Sequence, residues 1–184
     1  MKSISNIALS VITAFSFTMT SCQKDETDNP APVNPSELIT TVHLILSDSA
    51  GSSVIDTVSF IDIDGPGGAS PVIDSMIIQS GVTYQLRLLL LDESKNPVLD
   101  ISEEIAEESD YHLFVFTSAQ AQTTTIDTDV NGNPLGLLNL LSAPAAGLGS
   151  YRVQLRHFDT PALKTANSQD YETDIEIDFG LRVN

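Results

Sequence analysis

The chain has 184 residues, 41% of them apolar and 18% charged, with no Trp, one Cys and a formal net charge of −17. The apolar fraction excludes a disordered acidic tail, and a single Cys excludes an internal disulfide scaffold. Eight Lys and Arg against 25 Asp and Glu cannot build a basic face that neutralises a run of phosphates, so nucleic acid is not an expected partner.

Lys2 precedes an apolar stretch of 13 residues, 7–19. As a helix this is too short for ~30 Å of hydrocarbon, which takes about 20 residues. A charged start, a short apolar stretch and small residues at its end read as a secretory signal peptide over 1–21. The stretch ends in Met19-Thr20-Ser21-Cys22, which resembles the lipobox of bacterial lipoproteins. The resemblance implies cleavage before Cys22, acylation of Cys22 with chains such as palmitate, and a membrane-anchored mature protein. Each buried CH₂ adds ~0.8 kcal/mol, so several acyl chains make release negligible. The other reading is ordinary secretion with an incidental Cys.

Gln23-Lys24-Asp25-Glu26 resembles the export signal of Bacteroidetes-type surface lipoproteins, which implies an outer-membrane protein facing the medium; it reads equally as a solvated acidic linker. Residues 22–37 are polar, proline-rich and without apolar periodicity, and are expected to form a tether reaching ~45 Å at ~3.1 Å per residue. Removing the signal leaves 7 basic and 25 acidic residues, a charge that keeps the folded part away from an anionic surface.

Residues 38–184 read as one all-β domain, an antiparallel β-sandwich of immunoglobulin-like or Greek-key type. The pattern is clearest over 173–183, where Ile175, Ile177, Phe179, Leu181 and Val183 alternate with Asp174, Glu176, Asp178 and Arg182; period two predicts a strand with its charged row in solvent. Similar runs fall at 39–46, 54–62, 72–78, 82–91, 111–117, 123–128, 135–141 and 151–158, separated by Gly, Pro, Asn and Asp clusters. Leu88 to Leu91 are apolar in succession, which predicts cover on both faces. Asp100 and Glu103 have the spacing of a capping box, predicting one short helix over 101–109 with Ile101 and Ile105 on its buried side.

Candidate ligands follow from this pattern. His112 alternates with Phe114 and Phe116, and His157 with Tyr151, Val153 and Leu155, so both imidazoles lie near strand ends on inward faces. With Glu108, drawn from the acidic residues just before His112, they could hold Zn²⁺ or another borderline divalent ion and leave one position open. The alternative is a pair of core histidines bonded to backbone. His43, between Val42 and Leu44, is expected to face solvent.

Asp127, Asp129 and Asn131 followed by Gly132 match the first oxygen donors and the Gly of an EF-hand-like loop, which suggests weak Ca²⁺ binding. Leu138 stands where the bidentate Glu would be, and Asn131-Gly132 is also a strong hairpin turn. Asp62 to Gly68 is a similar loop, read as a turn. No nucleophile elbow, phosphate loop, His-Glu-x-x-His or catalytic thiol is present, so the chain is not expected to be an enzyme. Nor does an aromatic-rich pocket stand out.

Across most of 38–184 the chain resembles a group of small Bacteroidetes-type surface lipoproteins of unknown function. The resemblance is carried by Ile39-Thr-Thr-Val42, Asp62-Ile-Asp-Gly-Pro-Gly67, Ile105-Ala-Glu-Glu108, Asp110-Tyr-His112, Asp127 to Leu135, Arg156-His157 and Glu172-Thr-Asp-Ile-Glu176. Some relatives are labelled type 1 periplasmic-binding-fold proteins, which implies solute binding; that fold has two α/β lobes, whereas the pattern here is all-β. Sequence therefore leads to a lipid-anchored outer-membrane sandwich that binds a small ligand or divalent metal as accessory to an outer-membrane uptake receptor. The rival is a non-catalytic interaction or structural module of the envelope.

Overall fold

A computed structural model describes residues 38–165 and 167–184. The expected signal peptide, Cys22 and the tether lie outside the described residues. No helix among the described residues is long and apolar enough to cross a membrane.

The strands, in chain order, are β1 Thr41–Asp48, β2 Val54–Ile61, β3 Val72–Ile73, β4 Ser75–Ile78, β5 Thr83–Asp92, β6 Leu99–Asp100, β7 His112–Thr117, β8 Gln122–Thr125, β9 Leu138–Ser142, β10 Gly147–His157 and β11 Glu172–Val183, with helix α1 at Ile101–Glu107 between β6 and β7. They form the expected all-β sandwich. One sheet runs β3-β2-β1-β5-β9-β8 with β6 on the end of β5; the other runs β4-β11-β10-β7. All pairs are antiparallel except β4 with β11, which run parallel.

Alternation built the core. Val42, Leu44 and Leu46 of β1, Leu86, Leu88 and Leu90 of β5, Tyr151, Val153 and Leu155 of β10 and Ile177, Phe179, Leu181 and Val183 of β11 all turn inward and are buried. Their burial, at ~25 cal/mol per Å² of apolar surface, holds the two sheets together.

Three expectations change in detail. The run predicted over 72–78 breaks at Asp74: β3 pairs with β2 in one sheet and β4 with β11 in the other. Asp74 makes the corner, its carboxylate accepting from the Ser59 N–H at 3.0 Å and its own N–H donating to the Ser59 carbonyl at 2.9 Å. Of Leu88 to Leu91, Leu88 and Leu90 enter the core, while Leu89 and Leu91 point outward and stay partly exposed. His43 also faces outward, half-buried, with Nδ1 2.9 Å from Ser59 Oγ.

The helix begins as predicted. The Asp100 carboxylate accepts from the Ser102 N–H at 2.9 Å, and Glu103 and Glu104 occupy the first turn, where the N-terminal dipole favours negative charge. Ile101 and Ile105 are buried, and Ser102 Oγ accepts from the Leu90 N–H at 2.7 Å. These contacts fix α1 to β5, and the chain then enters β7 at His112.

Candidate metal centre

His112 opens β7 and His157 closes β10, and the register sets them directly opposite each other. Residues opposed in an antiparallel pair share a face, so the two imidazoles meet. His112 Nε2 and His157 Nδ1 are 3.1 Å apart, with the rings edge-on at 82°.

A bulge supplies the third group. Leu155 pairs with Ile175, but Arg156 pairs with Thr173, so Asp174 is the extra residue on β11. The added residue bends the strand and re-aims its side chain. Asp174, expected in the solvated row, has only 13% of its side chain exposed and brings Oδ2 to 3.9 Å from His112 Nε2. One donor atom each from His112, His157 and Asp174 lies within 4.8 Å of the others. Asp174 Oδ2 is buried without a hydrogen-bond partner, which is costly for a carboxylate unless a cation or proton compensates.

The electrostatics follow from burial. Desolvation lowers His112 to about 4, against the Glu108 carbonyl bond; His157 and Lys164 lower it further. His112 is therefore neutral at pH 7. Its Nδ1 lies 3.1 Å from the Glu108 carbonyl; a carbonyl only accepts, so Nδ1 carries the hydrogen and Nε2 directs a lone pair at the cluster. Ligating histidines are oriented in the same way. Burial raises Asp174 to about 6, with Glu172 adding to the rise and His157 opposing it. Tyr111 stacks on His157 at 6.3 Å.

Two expected site assignments are corrected. The Glu108 carboxylate is exposed and only the backbone carbonyl of that residue touches His112; Asp174 takes its place beside the imidazoles. In the loop expected to bind Ca²⁺, the carboxylates are occupied by the chain itself. Asp127 accepts from the N–H groups of Gly136 at 2.8 Å and Leu138 at 3.0 Å. Asp129 accepts from the N–H groups of Asn131 and Asn133, each at 2.8 Å, and from Lys164 Nζ at 2.8 Å. Burial alone would raise Asp129, but Lys164 and these N–H groups overcome it and hold the carboxyl down at about 2. The cation of this loop is thus Lys164, and Asn131 is exposed.

A crevice of about 520 Å³ opens between β7 and β8, lined by Leu113, Phe114, Val115, Phe116, Thr123 and Lys164, among others. It is not legible in the sequence, because Phe116 and Thr123 belong to edge strands of different sheets. Phe114, Phe116 and Tyr151 stack in sequence at 6.4 and 5.9 Å. The Tyr151 hydroxyl lies 2.7 Å from Thr123 Oγ1, and burial pushes that phenol well above its usual range.

No protein-family model matches the chain, and no curated protein or solved structure matches it either.

Proposed function

We propose that this chain is a lipid-anchored outer-membrane protein, exposed at the cell surface, whose β-sandwich binds a borderline divalent metal of the Zn²⁺ class through His112, His157 and Asp174, as a non-catalytic accessory to uptake. The anchor is inferred from the lipobox resemblance at Met19 to Cys22. The metal is inferred from one observation above all: a buried carboxylate oxygen without a partner beside two imidazole nitrogens.

The donor chemistry suits this class. Two nitrogens and one oxygen favour Zn²⁺ and its neighbours over Ca²⁺ or Mg²⁺, which take oxygen donors. At Zn–N distances of about 2.0–2.1 Å, tetrahedral ligands lie ~3.4 Å apart, close to the observed 3.1 Å between His112 and His157. Asp174 must move inward by roughly an ångström, which a carboxylate at a bulge can do by rotating. Three protein ligands leave a fourth position for water or a donor from the cargo.

The test is metal analysis of untagged, detergent-solubilised protein after equilibration with Zn²⁺ and dialysis. One metal per chain is expected, lost in His112→Ala, His157→Ala and Asp174→Asn and retained in Glu108→Ala. Substoichiometric metal, or equal metal in all four variants, would refute the assignment.

A further inference from the structure

The central strands of the two sheets carry different outward chemistry. On β10 and β11 of the four-stranded sheet the outward row is polar and carries a paired charge cluster, with Arg152 at 2.7 Å from Asp178 and 3.0 Å from Glu176. On the seven-stranded sheet, β1, β5 and β9 turn Ile45, Leu89, Leu91, Leu138 and Leu140 outward, all partly exposed. Exposed Arg87 stands between Ile45 and Leu138 in the cross-strand register. No carboxylate faces outward on these three strands, although the chain holds 25. Among the described residues, Lys95, Arg152 and Lys164 each meet a carboxylate, whereas no ion pair or side-chain hydrogen bond engages Arg87.

We propose that this face docks a partner protein that presents apolar side chains around a carboxylate aimed at Arg87. Apolar residues around an Arg are the composition of an interface centre, and the Glu93 carboxylate just past the end of β5 is engaged by the Thr41 hydroxyl at 2.7 Å. Charge complementarity selects the occupant. A second copy brings another Arg87 and no acid on the same strands, so two guanidinium groups would be buried without a counter-charge, which is strongly unfavourable. An anionic membrane repels a chain with 25 acidic residues against eight basic ones. The inference does not depend on metal at His112, because that cluster belongs to the other sheet.

The experiment places a photoreactive phenylalanine analogue at Leu89 of the full chain in cells of its source organism, with the same probe at Glu176 as control. One discrete heterologous protein adduct is expected from position 89 and none from position 176. Arg87→Glu should reduce the adduct at least tenfold while leaving the melting temperature unchanged. Mass spectrometry should place a carboxylate in the cross-linked segment of the partner, and changing it to Lys should restore the adduct in Arg87→Glu. The proposal is overturned by no adduct, by an adduct of two copies of this chain, by lipid adducts alone, by equal adducts from both positions, or by an Arg87→Glu variant that cross-links as well as the parent.

Discussion

Lys164 Nζ lies 2.8 Å from Asp129 Oδ2, with both side chains excluded from water, and donates a second bond of 2.7 Å to the Ser109 carbonyl. One ammonium therefore ties the chain after β10 to the turn before β9 and to the residues leading into β7. Breaking a buried pair by removing one partner leaves an uncompensated charge, at a cost of about 3–5 kcal/mol, whereas replacing both with apolar groups costs much less. Lys164→Met should lower urea-unfolding stability by that amount, and Lys164→Met with Asp129→Leu should recover most of it. A double variant as unstable as the sum of its singles would show that the pair is not coupled.

Because Lys164 supplies the positive charge of this loop, millimolar Ca²⁺ should leave the melting temperature unchanged. A rise that Asp129→Asn abolishes would mean that Ca²⁺ displaces the ammonium.

The pH dependence of the metal-free protein combines two opposed shifts. His112 is lowered from 6.5 to about 4, so between these values the unfolded chain binds more protons and stability rises with pH. Asp174 is raised from 3.8 to about 6, so across nearly the same window the folded chain binds more protons and stability falls with pH. Each amounts to about 3 kcal/mol, and together they nearly cancel. Wild-type stability should be flat from pH 4 to 6. Asp174→Asn should instead gain stability as pH rises, and His112→Phe should lose it. Parallel profiles for all three proteins in chemical denaturation would contradict the placement of these groups.

Gly136 has φ of +101°, and a Cβ there would lie 2.7 Å from Phe114 Cβ. Both the left-handed backbone and the close approach of β7 require glycine. Gly136→Ala should cost at least ~2 kcal/mol from strain and overlap together, read as a lower denaturation midpoint with an unchanged slope. Gly132 shares a positive φ but has open space around it, so Gly132→Ala should cost less.

Anchoring is tested at the sulfur. Cys22→Ser should abolish incorporation of radiolabelled palmitate and move the protein from the membrane to the soluble fraction, while the parent chain labels and sediments with the outer membrane. Unlabelled parent protein would end the lipoprotein assignment.

Period-two alternation made most of the strands legible, and β11 most of all. A sheet with one buried face imposes that pattern directly on adjacent residues, and for the same reason the inward faces of His112 and His157 could be read from their neighbours. Asp100 announced the helix because a cap is a local hydrogen bond between residues two apart. The inward turn of Asp174 is hidden from sequence for an equally physical reason. Its alternation is that of a solvated residue, and only the register slip against Leu155 and Arg156 turns it inward. Glu108 is near His112 in sequence, but the end of α1 presents its carbonyl to that ring rather than its carboxylate.

The sequence by itself determined the strand periodicity, the capped helix, the acidic charge and a lipobox-like Cys22, because each is written in residues a few positions apart. Tertiary structure decided what meets what. His112 and His157 are 45 residues apart, Asp129 and Lys164 are 35 apart, and Arg87 is flanked by Ile45 and Leu138 from two other segments of the chain. Such neighbours are fixed by strand register, and register is set by the packing of the whole core rather than by any local run of side chains.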